Sequence, residues 1–232
     1  MEQAVLEALQ ALEVDYIDIF HLHAARADET VFEQRRGAWQ CLLDCKAKGI
    51  IKAVGISTHS VAAASRAAEV DEVDVVFPII NQAGIGILHG SVTEMKGAIG
   101  QCLKQEKGVY LMKVLGGGSL VSDFHQAVGF AREIGRLSLA LGMVSEAEVE
   151  YNLAYFKTQP VDLASLPPLL TEVKEFQIID WLCKDCGTCM ENCPNGAITK
   201  DPGEEKPRIN ADLCLRCGYC VGFCPEFAIR MV

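Results

Sequence analysis

The first two thirds of the chain alternate between segments with helical spacing and segments with strand composition. Apolar residues recur every three or four positions over residues 1–13, which predicts a helix. Residues 14–23 are rich in Val, Ile, Tyr and Phe, which predicts a strand. The predicted strands cover residues 14–23, 51–57, 73–80, 108–113 and 137–142. The predicted helices cover residues 1–13, 30–47, a segment beginning at 60, 91–105, 123–134 and 145–156.

The helix-start motifs and the alternation of strands with helices both indicate an α/β fold. Three helix starts carry the spacing of a capping box, namely Thr30 with Glu33, Ser91 with Glu94, and Ser145 with Glu148. Strands that alternate with helices predict a parallel sheet with helices outside it, an α/β fold. Five strands do not close an eight-stranded barrel, so they form either an open sheet or the second part of a barrel.

Composition limits the partners of the protein. The 232 residues are 50% hydrophobic, enough for a substantial core, and the formal net charge is −10. An acidic chain is a poor match for nucleic acid or for an anionic membrane. No apolar run approaches the roughly 20 residues of a membrane span. We therefore expect a cytoplasmic protein with no nucleic-acid partner and no membrane span.

The strongest chemical signal is a cysteine pattern near the C-terminal end. The run C-x2-C-x2-C-x3-C-P occurs twice, beginning at Cys183 and at Cys214. In two-cluster iron–sulfur proteins the first three cysteines of such a run hold one cluster, and the fourth reaches the other cluster. This rule assigns Cys183, Cys186, Cys189 and Cys224 to one [4Fe–4S] cluster, and Cys214, Cys217, Cys220 and Cys193 to a second.

Zinc and disulfides are the alternatives for these cysteines. Zinc ribbons also use C-x2-C pairs, but they do not require a third cysteine two residues later and a fourth before proline. Disulfides need an oxidising compartment, and the first residues do not have the pattern of a secretion signal. The remaining cysteines, Cys41, Cys45 and Cys102, are interpreted as buried free thiols.

The two cysteine runs belong to an internal repeat. The segment CPNGAI at 193–198 is echoed by CPEFAI at 224–229. Residues 178–232 resemble a bacterial-type two-cluster ferredoxin. The resemblance implies electron transfer, in which the clusters exchange electrons one at a time with a redox partner protein.

A second resemblance covers about two thirds of the chain. Its segments are VDYIDIFHLH at 14–23, GIIKAVGIS at 49–57, LMKVLGGG at 111–118 and GMVS at 142–145. Similar motifs occur in this order in the aldo/keto reductases, from the fourth strand of the barrel onward. The resemblance implies strands four to eight of a (β/α)8 barrel. The family transfers a hydride between NADPH and a carbonyl compound, so NADP(H) and a small carbonyl substrate are implied.

The resemblance also implies site residues at the strand ends. His23 falls on the catalytic histidine that orients and polarises the substrate carbonyl. It ends a predicted strand, where barrel enzymes hold their catalytic groups. Ser57 falls on a residue that helps bind the nicotinamide carboxamide, and Thr58 stands where the family usually has Asn. Asn81 or Gln82 falls on a polar residue beside the nicotinamide.

The end that would hold the 2′-phosphate of NADPH departs from the family pattern. The family often uses Lys, Ser and Arg near the last helix. By position this chain has Gly142, Met143 and Glu148, and only Asn152 is retained. Glu148 also has a structural explanation, as the acidic residue of a capping box.

The catalytic Tyr, Asp and Lys of the family lie on its first three strands. The matching segments of this chain begin at the helix before the fourth strand, so these three residues have no counterpart here. Lys113 is on a late strand and does not substitute for the family's Lys. We therefore expect a chain truncated at its N-terminus relative to the family.

These interpretations combine into a two-domain arrangement with two possible functions. Residues 1–156 are predicted to form a partial barrel, 157–177 a linker and 178–232 a ferredoxin-like domain. The first hypothesis is an iron–sulfur electron-transfer oxidoreductase of the aldo/keto reductase type. The alternative is an electron-transfer module without carbonyl reductase activity of its own.

Overall fold

The chain forms two compact units. The computed structural model describes residues 1–143, 145–157, 162–171 and 175–231. The first unit contains Met1–Val114 and Val128–Ala140, and the second contains Leu115–Ala127 and Leu141–Val232. Residues 158–161 and 172–174 lie outside the described ranges and inside the predicted linker, 157–177. The predicted domain boundaries therefore stay a prediction.

The first unit is built on a five-stranded sheet whose neighbouring strands are all parallel. The strands pair in the order of the chain, as in a barrel, whereas a doubly wound sheet reverses its order part-way. The strands are β1 (Ile17–His23), β2 (Ile51–Thr58), β3 (Val75–Pro78), β4 (Gly108–Met112) and β5 (Ser138–Ala140). The predicted partial (β/α)8 barrel is confirmed.

Helices alternate with the strands along the chain, and the first helix precedes β1. They are α1 (Glu2–Leu12), α2 (Val31–Gln34), α3 (Arg36–Ala47), α4 (Val61–Glu69), α5 (Val92–Lys104) and α6 (Phe124–Ile134). The capping box predicted at α5 is present, because Ser91 Oγ accepts from the Glu94 amide and the Glu94 carboxylate accepts from the Ser91 amide. Helix α6 begins in the second unit and ends in the first.

The predicted helix over 30–47 is wrong in one respect, because it is divided into α2 and α3. Arg35 leaves helical geometry between them, with φ −110° and ψ 26°. The capping box predicted at Thr30 does not form. The Thr30 hydroxyl instead donates to Asp28 Oδ1 at 2.6 Å. A short polar side chain has local alternatives to a cap, and here the Asp28 turn competes successfully.

One face of the sheet is covered by the helices. Alternate strand residues such as Leu22, Val54 and Ile56 are fully or almost fully buried in this layer. Trp39 and Leu42 of α3 and Ala63 and Ala67 of α4 belong to the same cluster. The other strand residues, including His21 and His23, therefore lie on the opposite face, where Ile19 remains 43% exposed.

The second unit begins with the segment after β4 and contains the two cysteine runs. Its helices are α7 (Glu146–Lys157), α8 (Thr188–Glu191) and α9 (Tyr219–Phe223). Its strands form two antiparallel pairs, β6 (Phe176–Ile178) with β9 (Ile229–Met231), and β7 (Ile198–Thr199) with β8 (Arg208–Ile209). Tyr151 and Tyr155 of α7 pack edge-on against Phe124, with ring centroids 5.3 and 5.1 Å away.

The internal repeat seen in the sequence is also a repeat of backbone conformation. Gly187 and Gly218 occupy matching positions, both with φ 79°, and each precedes a short helix. Asp185 and Arg216, two residues earlier, also match, with φ 55° and 48°. Positive φ is costly for residues with a Cβ, so its recurrence indicates that both loops meet the same structural requirement.

Candidate functional site

The two cysteine runs line two cavities in the described part of the second unit. Cys183, Cys186, Cys189 and Cys224 line one cavity, and Cys193, Cys214, Cys217 and Cys220 line the other. The structure therefore brings together the two sets of four cysteines that the sequence pattern assigned, each with three cysteines from one run and one from the other.

Main-chain amides point at several of the sulfur atoms. The Ala197 amide donates to Cys193 Sγ at 3.2 Å, and the Ala228 amide donates to Cys224 Sγ at 3.3 Å. These two bonds occupy equivalent places in the repeat, four residues after the cysteine that precedes proline. Amide donors around thiolate sulfurs offset negative charge, as they do around iron–sulfur clusters.

The donor set fits iron–sulfur clusters better than zinc or disulfides. All eleven cysteines of the chain lie in the described ranges, and none of them forms a disulfide. Among the described residues, no three His, Cys, Asp or Glu side chains lie close enough together to hold a single metal ion. Zinc needs four ligands around one ion, whereas a cube spreads its four thiolates over four irons. Four cysteines around each of two cavities match the ligand count of two cubes.

The two cavities differ in polarity. The cavity of Cys183 is also lined by Lys184 and Glu226, and Cys186 is exposed. The cavity of Cys214 has uncharged side chains as its non-cysteine lining, chiefly Phe176, Ile198, Ile209 and Leu215. We name these the charged cavity and the apolar cavity.

The first unit has its own polar group at the carboxyl ends of the strands. His23 ends β1, and Ser57 lies directly opposite it in β2. His23 Nδ1 and Ser57 Oγ are 2.6 Å apart, in a hydrogen bond that fixes the plane of the imidazole. The main chain of the same residue is also held, because Arg35 Nη1 donates to the His23 carbonyl at 2.7 Å.

His59 and Lys113 lie beside His23 and Ser57. We call these four residues, His23, Ser57, His59 and Lys113, the strand-end group. Burial, followed by the charges of Lys113 and His23, lowers the pKa of His59 to about 4. Burial and the Arg35 charge also lower the pKa of His23. Both imidazoles are therefore predominantly neutral at neutral pH, which leaves them able to donate a ring N–H to a carbonyl oxygen.

Sequence reasoning missed a second pair on the same face of the sheet. His21 Nε2 lies 2.7 Å from the Tyr110 hydroxyl, and the Tyr110 ring stacks on Phe77 with centroids 3.9 Å apart. Gly55 makes room for the imidazole, because a Cβ there would lie 2.6 Å from His21 Nδ1 and 2.3 Å from the Val75 carbonyl oxygen. The sequence could have indicated that His21 belongs with His23, because alternate residues of a strand lie on the same face.

The other predicted nicotinamide contacts are placed as follows. The Asn81 amide is held within its own turn, donating to the Ile85 carbonyl and accepting from the Ile85 amide, both at 2.9 Å. Asn152 lies on α7 in the second unit, where its Nδ2 donates to the Glu148 carbonyl at 2.7 Å. Asn152 Oδ1 is buried without a hydrogen-bond partner among the described residues.

Comparison with protein-family models assigns both parts of the chain. The aldo/keto reductase family model matches residues 1–136. The chain belongs to the aldo/keto reductase family. A 4Fe–4S dicluster domain model matches residues 176–225, which supports iron–sulfur clusters in this part of the reductase chain.

Two of the solved structures to which this aldo/keto reductase family chain is similar have TM-scores above 0.5 and share its fold. An aldo-keto reductase from Bacillus halodurans in its holo form is 15% identical, with a TM-score of 0.52, covering 70% of this chain and 63% of its own. The apo form gives 15% identity and a TM-score of 0.51, covering 70% and 64%. A reductase from Brucella melitensis is 15% identical with a TM-score of 0.48, covering 70% and 65%.

The chain spans about half to two thirds of the length of the reductase structures it matches, from 49% to 65%. Among the curated proteins, none matches the chain. In the described ranges, no helix combines the length and the apolar character that crossing a bilayer requires.

The buried neutral histidines predict an acid-labile first unit. The pKa of His59 is about 4 in the folded chain and about 6.5 when unfolded, so the unfolded chain binds the proton more readily between these values. The stability contribution is present above about pH 6.5 and is lost as the pH falls towards about 4. The loss amounts to at most about 3 kcal/mol for this residue, which is only 3% exposed.

The measurement is urea unfolding of the parent and of His59→Gln at several pH values from 7.5 to about 4. We expect the variant to lose less stability than the parent over this range. Equal losses in the two proteins would show that protonation of His59 is not coupled to unfolding.

Proposed function

We propose that the chain is an electron-carrying oxidoreductase of the aldo/keto reductase type that binds two [4Fe–4S] clusters. The observation that supports this most strongly is the arrangement of the cysteines around two cavities, with one cysteine of each set supplied by the other run. The charged cavity would hold one cluster through Cys183, Cys186, Cys189 and Cys224. The apolar cavity would hold the second through Cys193, Cys214, Cys217 and Cys220.

Two clusters match the electron count of the reaction class. A bound [4Fe–4S] cluster supplies one-electron transfer, whereas reducing a carbonyl to an alcohol takes two electrons and two protons. Two clusters in one chain supply a two-electron store that a redox partner protein fills in single steps. The residues of the chain hold the clusters, surround the sulfur atoms with amide donors and keep the apolar cavity free of charged side chains.

The strand-end group is the proposed site for the carbonyl compound. His23 would donate a hydrogen bond to the carbonyl oxygen, which withdraws electron density from the carbon that is reduced. Ser57 holds the His23 ring in place, since the two side chains are 2.6 Å apart. Lys113, whose charge acts on the neighbouring His59, adds positive potential where negative charge develops on the oxygen.

In this proposal the two electrons come either from the two reduced clusters, with two protons from solvent, or from NADP(H) as one hydride with one proton. Asn152 does not offer a donor to a 2′-phosphate, because its Nδ2 donates to the Glu148 carbonyl and its Oδ1 can only accept. Ser57 and Asn81 are also engaged, because Ser57 Oγ is bonded to His23 and the Asn81 amide is bonded twice to Ile85. These occupied contacts favour the second candidate, an electron-transfer module that reduces no carbonyl compound itself. In that case NADPH-dependent carbonyl reduction by this chain is negligible.

Iron content tests the cluster assignment. After anaerobic reconstitution with iron and sulfide we expect about eight irons and eight inorganic sulfides per chain, since each of the two cubes has four of each. Iron and acid-labile sulfide are measured on desalted protein. Fewer than about six irons per chain, or bound zinc without labile sulfide, would contradict the proposal.

Replacing His23 separates the two candidate functions. In any preparation that contains this chain and reduces a carbonyl substrate, His23→Ala should lower turnover by about 100-fold or more, because a positioned proton or hydrogen-bond donor contributes at least that much. The iron content should stay unchanged.

The control is His89→Ala, which removes an exposed histidine of the first unit outside the strand-end group. Unchanged turnover in His23→Ala would show that His23 has a structural role and no part in the reaction. Absence of turnover in the parent, with both clusters present, would support the electron-transfer module.

A further inference from the structure

The two cysteine loops differ in charge at equivalent positions of the repeat. The second residue between the first two cysteines is Asp185 in one run and Arg216 in the other. Both residues have positive φ, 55° and 48°, so the loop conformation is the same and the side chain is what differs. Asp185 is bound by Lys200 in a pair whose members are 32% and 30% exposed.

Arg216 is in a much more buried setting. Its side chain is 9% exposed, and Nη2 lies 3.2 Å from Glu175 Oε1, whose side chain is 46% exposed. The residues next to this pair along the chain, Leu215 and Phe176, both line the apolar cavity. The positive member of the pair is thus shielded from solvent, while the negative member is open to it.

A glycine segment, Leu115–Ser119, fixes the loop that carries Arg216. Arg216 Nη1 donates to Ser119 Oγ. The Leu215 carbonyl oxygen packs against Gly117 so closely that a Cβ on Gly117 would lie only 2.2 Å from it. Gly117 has φ +68°, which also favours glycine. The close approach fixes the backbone of the loop between Cys214 and Cys217, and the hydrogen bonds to Ser119 and Glu175 hold the Arg216 guanidinium.

Charge decides how readily a cluster in this cavity takes an electron. Reduction adds one negative charge, and an uncharged apolar lining stabilises that charge poorly. A buried guanidinium, which keeps its charge at all accessible pH values, offsets the penalty. The charged cavity has less need of such a residue, because it is more polar and more open to solvent: the charged side chains of Lys184 and Glu226 line it, and Cys186 is exposed.

We propose that Arg216 is a positioning residue for electron transfer that raises the reduction potential of the cluster in the apolar cavity, and that the glycine segment sets this effect by holding its side chain. The inference rests on the proposed function, because it requires a cluster in each cavity. Each cluster gains or loses one electron from a redox partner or a chemical reductant, and Arg216 itself is neither oxidised nor reduced.

The test is a redox titration of the reconstituted chain, followed by electron paramagnetic resonance, with the two midpoint potentials fitted separately. Arg216→Gln should lower one midpoint and leave the other in place. Arg216→Lys keeps the charge and should restore most of the shift. Ser119→Ala keeps the charge but releases the side chain, so it should lower the same midpoint by a smaller amount.

Three further variants keep the test decisive. Arg208→Gln is the control, an exposed arginine of the same unit that pairs with Asp180 and whose charge acts on Cys183 of the charged cavity, so it should leave the midpoint that Arg216→Gln lowers in place. Glu175→Gln should raise the midpoint that Arg216→Gln lowers, and it decides the question if Arg216→Gln loses its iron. Asp185→Asn should raise the other midpoint.

The outcomes separate this inference from the proposed function. Two clusters with midpoints that Arg216→Gln and Glu175→Gln leave unmoved, or move equally, would overturn the role of Arg216. A parent protein with a single cluster, or none, would overturn the proposed function itself.

Discussion

Each cysteine cavity is closed only when both halves of the internal repeat are in place. Cys224 completes the set begun by Cys183, and Cys193 completes the set begun by Cys214. The two antiparallel strand pairs and the two short helices of this region hold those crossed positions. Ligand binding and folding are therefore coupled here, since the unfolded chain has no preformed site. The proposed electron-transfer function rests on this crossing.

Much of both units follows from the amino-acid pattern. The alternation of helix and strand and the two cysteine sets were predictable, because each depends on short-range spacing and a repeated rule. The barrel arrangement of the strands followed only from the resemblance to the aldo/keto reductases. The division between α2 and α3 was not predictable from propensity, because it depends on which local bond Thr30 makes. The pair of His21 and Tyr110 joins residues 89 positions apart, so only the register of the strands reveals it.

The same limit applies to the iron–sulfur region. Sequence spacing assigned the cysteines, but it did not distinguish an apolar cavity from a charged one, because Phe176 and Ile209 reach the cavity from outside the cysteine runs. It also did not indicate that Arg216 is buried, since its partners Ser119 and Glu175 lie 97 and 41 positions away. Long-range packing thus supplies the features that tune a site whose ligands the sequence already specifies.

The crossed ligation is tested most directly by comparing three serine variants of the reconstituted and reduced chain. Cys186→Ser, Cys217→Ser and Cys224→Ser each replace one ligand, and electron paramagnetic resonance reports which of the two cluster signals changes. The account predicts that Cys224→Ser alters the same signal as Cys186→Ser and leaves the signal altered by Cys217→Ser intact. If Cys224→Ser instead altered the signal that Cys217→Ser alters, each run would hold its own cluster and the crossed arrangement would be wrong.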